Sequence, residues 1–217
     1  MYLSQLVLNG RSRQVQADLR NPYDLHRTLT FAFAPEGEGL PDGERPLWRL
    51  DGERPPTLIV QSRHAPDWGQ VLARHPGYLE TFRTTLLDDA KLNALSRTDV
   101  PYRFRLRANP AVTKRAEREG DARTQKPKRY GLYGAREQAG WLVAQGERHG
   151  FVPERFEITQ AERFRARKGG ARVTLSAATF EGELLVRDPG RFRAALRDGL
   201  GHGKALGLGL LSLAPTC

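Results

Sequence analysis

Five glycines fall within eleven residues near the end of the chain, at Gly199, Gly201, Gly203, Gly207 and Gly209, in the run G-L-G-H-G-K-A-L-G-L-G-L-L-S-L-A-P. Glycine is poor inside helices and takes positive φ without strain, so this run must be a loop whose backbone can come close to a ligand. With Lys204 among its residues, it reads as a phosphate cradle of backbone amides and one point charge. The alternation of Leu206, Leu208 and Leu210 predicts a last strand behind it. A purely structural reading, glycines that only let this strand pack closely, stands beside the functional one. Two better-known glycine motifs do not fit. A Walker loop has Ser or Thr after its Gly-Lys and a helix behind it, whereas Ala205 follows Lys204. A dinucleotide fingerprint sits between a strand and a helix with an acid downstream, whereas this loop follows a helix and stands near the end of the chain.

Charge narrows the partners. The 217 residues carry a formal net charge of +10, which points to a polyanion. Residues 1–96 hold 11 Lys or Arg against 12 Asp or Glu, and residues 97–217 hold 24 against 13. The second half, which also contains the glycine run, therefore carries the whole surplus. A length of this order suits two small domains, with the boundary expected at 96/97. Cys217 is the only cysteine, which excludes a disulfide framework and a cysteine metal site. The N-terminal residues alternate like a strand rather than a secretory leader, and no apolar run is long enough to span a bilayer. A soluble cytoplasmic protein is expected.

Taken in order, Tyr2 to Asn9 alternates as a half-buried strand, and residues 10–20 read as a polar loop. Asn21-Pro22 then gives an N-cap with Pro at the first helical position, and Pro22 to Phe33 reads as the first helix of the chain. On a helical wheel Leu25, Leu29 and Ala32 form the buried stripe with Phe33 beside them. His26, Thr30, Tyr23 and Arg27 follow around the adjoining face. His26 thus stands at the border of core and solvent, three residues from Tyr23, either as a packed histidine or as a chemical group beside a tyrosine, an arginine and a threonine. The continuation predicts strands at residues 47–51, 57–62 and 77–85 around a short helix at 65–74, the ferredoxin-like order. Residues 86–98 are expected to connect to a second unit.

Pro101 to Ala108 has period 2, with Tyr102, Phe104 and Leu106 on one side and Arg103, Arg105 and Arg107 on the other. A row of guanidinium groups repels itself unless an anion lies across it, which favours nucleic acid. Residues 114–134 are basic and rich in Pro and Gly, and are expected to be a mobile loop that orders on a partner. A helix at 135–148 precedes a hairpin of residues 156–168 and 172–176. Arg163, Arg165, Arg167 and Lys168 crowd its tip, which suits entry into a groove of a duplex or protection of a strand edge. Another strand or hairpin at 179–187, a short helix capped by Asp188-Pro189, and the glycine run complete a second βαββαβ unit. The fold class is therefore α+β, two ferredoxin-like units in tandem.

Three segments together, N-P-Y-D-L-H-R-T-L at 21–29, Y-R-F-R-L-R-A-N-P at 102–110 and G-K-A-L-G-L-G-L-L-S at 203–212, resemble the CasE-type CRISPR repeat endoribonucleases over nearly the full chain. The resemblance implies cleavage of precursor CRISPR RNA at the base of a repeat hairpin. It implies attack of a 2′-hydroxyl on the adjacent phosphate without a metal or other cofactor, and retention of the product with the other subunits of a surveillance complex. It makes His26 the general acid or base and Tyr23 its partner. Members place a further basic residue one turn on, where this sequence reads T-F-A-F. On chemical grounds alone an imidazole can perform either proton transfer near neutrality, and Lys204 with loop amides can stabilise a pentavalent phosphate. Gly201, His202, Gly203 and Lys204 join Arg27 and the basic strand and hairpin as RNA-binding candidates, and His202 is the internal rival to His26. A non-catalytic RNA-binding module and a small-molecule enzyme with a glycine-loop phosphate site are the alternative readings.

Overall fold

The computed structural model describes residues 1–35, 38–114, 128–168 and 171–216; the side chains of Lys114, 164–168 and 171–173 are also outside the description. Expectations for residues 115–127 and for the side chains of Arg165, Arg167 and Lys168 therefore concern positions beyond the described ones, as does Cys217.

Alternating leucines make β1 (Tyr2–Leu8), with Leu6 and Leu8 fully buried. Residues expected to form a polar loop instead build a helix, α1 (Arg13–Arg20), started by Ser12, whose side chain accepts from the Val15 amide. The reason it looked like a loop is its interior, which buries only Val15 and Asp18. The Pro22 helix, α2 (Pro22–Thr30), is thus the second of the chain. Its cap differs in detail from expectation: the Asn21 carbonyl accepts from the Asp24 and Leu25 amides, while the Asn21 side chain donates to the Asp24 carboxylate at 2.6 Å. The chain continues through β2 (Leu47–Glu53), β3 (Pro56–Ser62), α3 (Trp68–Arg74) and β4 (Leu79–Leu86). These strands form one antiparallel sheet in the order β2-β3-β1-β4. Val15, Leu25, Leu29, Trp68 and Val71 of the helices pack with Leu6, Leu58 and Val60 of the sheet in one core.

The connection contains a helix that the sequence did not advertise, α4 (Asp89–Ala94), capped by Asp88. The second unit comprises β5 (Pro101–Ala108), β6 (Ala111–Lys114), β7 (Lys128–Gly131), α5 (Ala135–His149), β8 (Phe151–Lys168), β9 (Ala171–Val186), α6 (Pro189–Asp198) and β10 (Leu211–Pro215). Its main sheet runs β10-β5-β9-β8. Each sheet therefore orders its strands fourth, first, third, second, the ferredoxin-like arrangement twice over. Strands β6 and β7 are an antiparallel ribbon inserted between the first strand and first helix of this unit. Strands β8 and β9 run much further than the expected hairpin, and the separate strand anticipated at 179–187 is the second half of β9.

Among the polar ties between the units, two are buried. Arg49, 3% exposed, donates from Nη1 to the carbonyls of Arg105 at 3.1 Å and Leu210 at 3.2 Å, while Asp51 holds its other edge. Gln61 donates to the Leu196 carbonyl at 2.7 Å. Such bonds are worth more than their number suggests, because a buried guanidinium left without partners would be very costly.

Candidate active site

Helix α2 is fixed from below. The Asp18 carboxylate, 1% exposed, accepts from the hydroxyls of Thr28 and Tyr78, each at 2.7 Å, and from the Gln14 amide at 2.8 Å. A buried carboxylate needs such donors. The same contact, after burial itself, raises the Tyr78 phenol far above its ordinary range, so Tyr78 stays a donor. Thr28, Leu25 and Leu29 face inward, which leaves His26 partly covered at the edge of the core, as the wheel predicts.

The glycine run curls against the first unit. All five of its glycines have positive φ, and at Gly207 a Cβ would lie 2.7 Å from the Trp48 ring. Here the packing explanation holds, and it brings the loop beside α2 rather than away from it. The expected strand alternation at 206–210 is not realised: residues Lys204–Leu206 form a 3-10 turn, and the strand begins only at Leu211. The positive φ at Gly207 and Gly209 is incompatible with an extended strand. The expectation of a cradle made of many amides also needs correction. The amides of Gly199, Leu200, Leu206, Gly207 and Gly209 are spent on carbonyls of the protein. What faces outward is the stretch from Gly201 to Leu206.

That stretch and α2 line one cleft of about 780 Å³. Tyr23 and His26 stand on one wall and Gly201, His202, Gly203 and Lys204 on another, with Glu44 and Arg45 from the segment before β2 closing it. Burial drops the His26 imidazole to about 4, so at neutral pH it is uncharged and able to accept a proton. Its Nδ1 is buried without a hydrogen-bond partner among the described residues. Burial first, and then the Arg45 guanidinium, holds the Lys204 ammonium below its usual value, while Asp198 opposes them. Asp198 is itself engaged by Arg63 at 2.5 Å. His202 is likewise lowered, by burial and then by Arg129 and Lys204. The acid of the cleft, Glu44, is turned inward. Its carboxylate accepts from the amides of Arg63 and His64 and lies 2.9 Å from His64 Nδ1.

Arg45 and Arg129 were not apparent from the sequence. Arg45 sits in a segment rich in Pro, Gly and acid, with no periodicity to place it. Conversely, the row on β5 is less suggestive than it looked. Tyr102, Phe104 and Leu106 are buried as expected, but Arg105 meets Glu181 at 3.1 Å and Asp51 at 3.8 Å, and Arg107 bonds Glu162. For Arg105 and Arg107 the protein's own strands, β9, β8 and β2, therefore supply the anion that the row was expected to seek from outside. Arg103 is exposed. Arg27 is exposed and lies 3.7 Å from Asp24. Arg163 on β8 stacks 4.9 Å above the Tyr133 ring, and β8 also approaches α2.

The family model described as CRISPR associated protein matches residues 1–215. The CRISPR-associated endoribonuclease Cse3 of Thermus thermophilus is 40% identical, the alignment covering 99% of this chain and all of that protein. The Cascade subunit CasE of Escherichia coli is 28% identical with the same coverage. Among solved structures, Cse3 bound to a 19-nucleotide RNA superposes with a TM-score of 0.81 at 39% identity, covering 99% of this chain and 100% of that one. No helix among the described residues is long and apolar enough to cross a membrane. By the full-length match to the family model and the identity to Cse3, this chain belongs to the family of CRISPR-associated proteins that includes the Cse3 endoribonuclease and the Cascade subunit CasE.

Proposed function

We propose that this endoribonuclease cuts precursor CRISPR RNA at the base of the repeat hairpin, in the cleft between α2 and the glycine loop, and keeps the product as a subunit of a surveillance complex. The observation that carries the reading is the meeting of a desolvated imidazole with a cluster of cations, brought from opposite ends of the chain to one cleft. A buried polar nitrogen without a partner is uncommon unless it is used. Burial, and after it the nearby Arg45 and Arg129, disfavours the charged forms of Lys204 and His202, a crowding of cations that an anion between them relieves.

In this reading a neutral His26 removes the proton of the 2′-hydroxyl. The 2′-oxygen attacks phosphorus, the bond from phosphorus to the 5′-oxygen breaks, and the products are a 2′,3′-cyclic phosphate and a 5′-hydroxyl. Tyr23, one turn before His26, orients the attacking group and gives its phenol proton to the leaving 5′-oxygen, and the proton taken up by His26 restores it after cleavage. Lys204 and Arg45 stabilise the charge that grows on the phosphorane. No step calls on a metal ion. The two-unit organisation divides the work: residues 1–96 contribute the proton chemistry and residues 97–217 most of the charge. In support, the relatives include a Cse3 complex with RNA described as a pre-cleavage complex and a chain of a CRISPR RNA-guided surveillance complex at 28% identity.

A labelled repeat hairpin incubated with the protein in EDTA tests the reading. Cleavage with a cyclic phosphate end is expected, and His26→Ala should bind the same hairpin and leave it intact. Cleavage that disappears in EDTA, or persists unchanged in His26→Ala, would refute the mechanism. Binding with no cleavage by the intact protein would leave the binding-module reading in its place.

A further inference from the structure

Helix α2 borders a second cleft, of about 470 Å³, toward its C-terminal end. It is lined by Gln14, Arg27, Thr30, Phe31, Arg74 and His75, with Glu38 as its acid, and Leu40 lines both this cleft and the one at His26. The residues are arranged as a stacking platform with cations. Arg74, the last residue of α3, lies with its guanidinium carbon 4.3 Å above the Phe31 ring. Phe31 in turn packs on His75 at 6.2 Å, and His75 on Tyr78 at 5.9 Å. Tyr78 is anchored through Asp18, so the stack rests on the same buried carboxylate that fixes α2. Helix α2 has no cation of its own beyond Arg27, and Arg74 brings one to its C-terminal end.

Spacing connects the two clefts. Thr30 is one turn beyond His26, about 6 Å along the helix axis, and the shared Leu40 makes the clefts neighbours. A volume of this size suits one small ligand rather than a duplex. Single-stranded nucleic acid is held by the elements present here, aromatic or guanidinium planes for the base and cations for the phosphate.

We propose that this second cleft binds the first single-stranded nucleotide flanking the cut, its base against the Phe31, Arg74 and His75 stack and its phosphate between Arg27 and Arg74. The proposal rests on the function proposed above. It makes α2 a guide, with the scissile linkage at its N-terminal half and the adjoining flank one turn further along, and it gives the protein a means to prefer the precursor over its own hairpin product.

The test uses the full chain carrying His26→Ala, so that RNA stays uncut, and three RNAs: the hairpin ending at the cut, the hairpin with three further nucleotides on the 3′ side, and the same on the 5′ side. One flank should tighten binding on the order of fivefold or more, and adding Arg74→Gln should abolish that gain while the flank-free hairpin binds as before. A gain that survives Arg74→Gln, or no gain from either flank, would overturn the proposal. A second measurement needs no Arg74 variant: 2-aminopurine as the first flanking nucleotide should be quenched on binding if stacked, and unchanged fluorescence in both flank positions would also overturn it. Failure of the intact protein to bind or cut the hairpin at all would instead refute the underlying function.

Discussion

The β5 row and the α2 cleft are both rich in positive charge, yet they are opposites electrostatically. On β5, Arg105 and Arg107 are met by Glu181 of β9, Glu162 of β8 and Asp51 of β2 in the other sheet, and these two are part of the protein's own bonding. Around the cleft, burial first and then Arg45 and Arg129 push down the neighbouring Lys204 and His202, and Glu44 is committed to His64 and two backbone amides. The first arrangement is satisfied without a ligand, and the second is improved by one. Periodicity in sequence reveals which charges share a face, but only three-dimensional neighbours reveal which of them are already answered.

Breaking the cleft should have the largest effect. His26→Ala is expected to slow single-turnover cleavage of a repeat hairpin by about 10²- to 10⁴-fold with binding changed only a few-fold, read by quench-flow and filter binding. Next, Lys204→Ala should cost about 10- to 100-fold in the same cleavage rate, as loss of a charge that acts chiefly on the transition state. Arg107→Ala, by contrast, should leave cleavage within a few-fold of normal and lower thermal stability modestly, since it breaks an ion pair inside the protein; a loss as large as that of Lys204→Ala would erase the distinction drawn between the two regions. Binding measured across salt concentrations sharpens it further, with the slope of log affinity falling by about one for Arg45→Ala and staying unchanged for Arg107→Ala.

The smallest effect expected concerns pH. The unfolded chain binds a proton on His26 near its ordinary value of 6.5, whereas the folded chain refuses it until about 4. Stability should therefore fall as pH drops between these values and level off below. His26→Gln should flatten that part of the curve in thermal melts. For the same reason the acid limb of kcat/KM, which reports the unliganded enzyme, should inflect well below 6.5.

Much of the fold was legible because its strands are amphipathic in the simplest way: Leu6 and Leu8, or Tyr102, Phe104 and Leu106, mark buried faces by alternation alone. Helix α1 was not, because one of its two buried side chains is a carboxyl group, and Asp18 can be buried only because Thr28, Tyr78 and Gln14 donate to it. The last strand was overextended, since leucines at 206, 208 and 210 alternate in sequence while the glycines between them turn the backbone. Tyr23 and His26 were visible from the helical wheel, and Gly201 to Lys204 from composition. That these two groups share one cleft, with Arg45 as a third wall, depends on contacts such as Gly207 against Trp48, which no local pattern encodes.

The central claim is that RNA is cut where α2 meets the glycine loop. A photoreactive nucleotide placed at the scissile linkage and crosslinked within the His26→Ala complex tests it most directly, followed by digestion and mass spectrometry. Crosslinks in the peptides containing Tyr23 and His202 to Lys204 are the expected result. Crosslinks confined to Arg103 through Arg107 on β5 would contradict it.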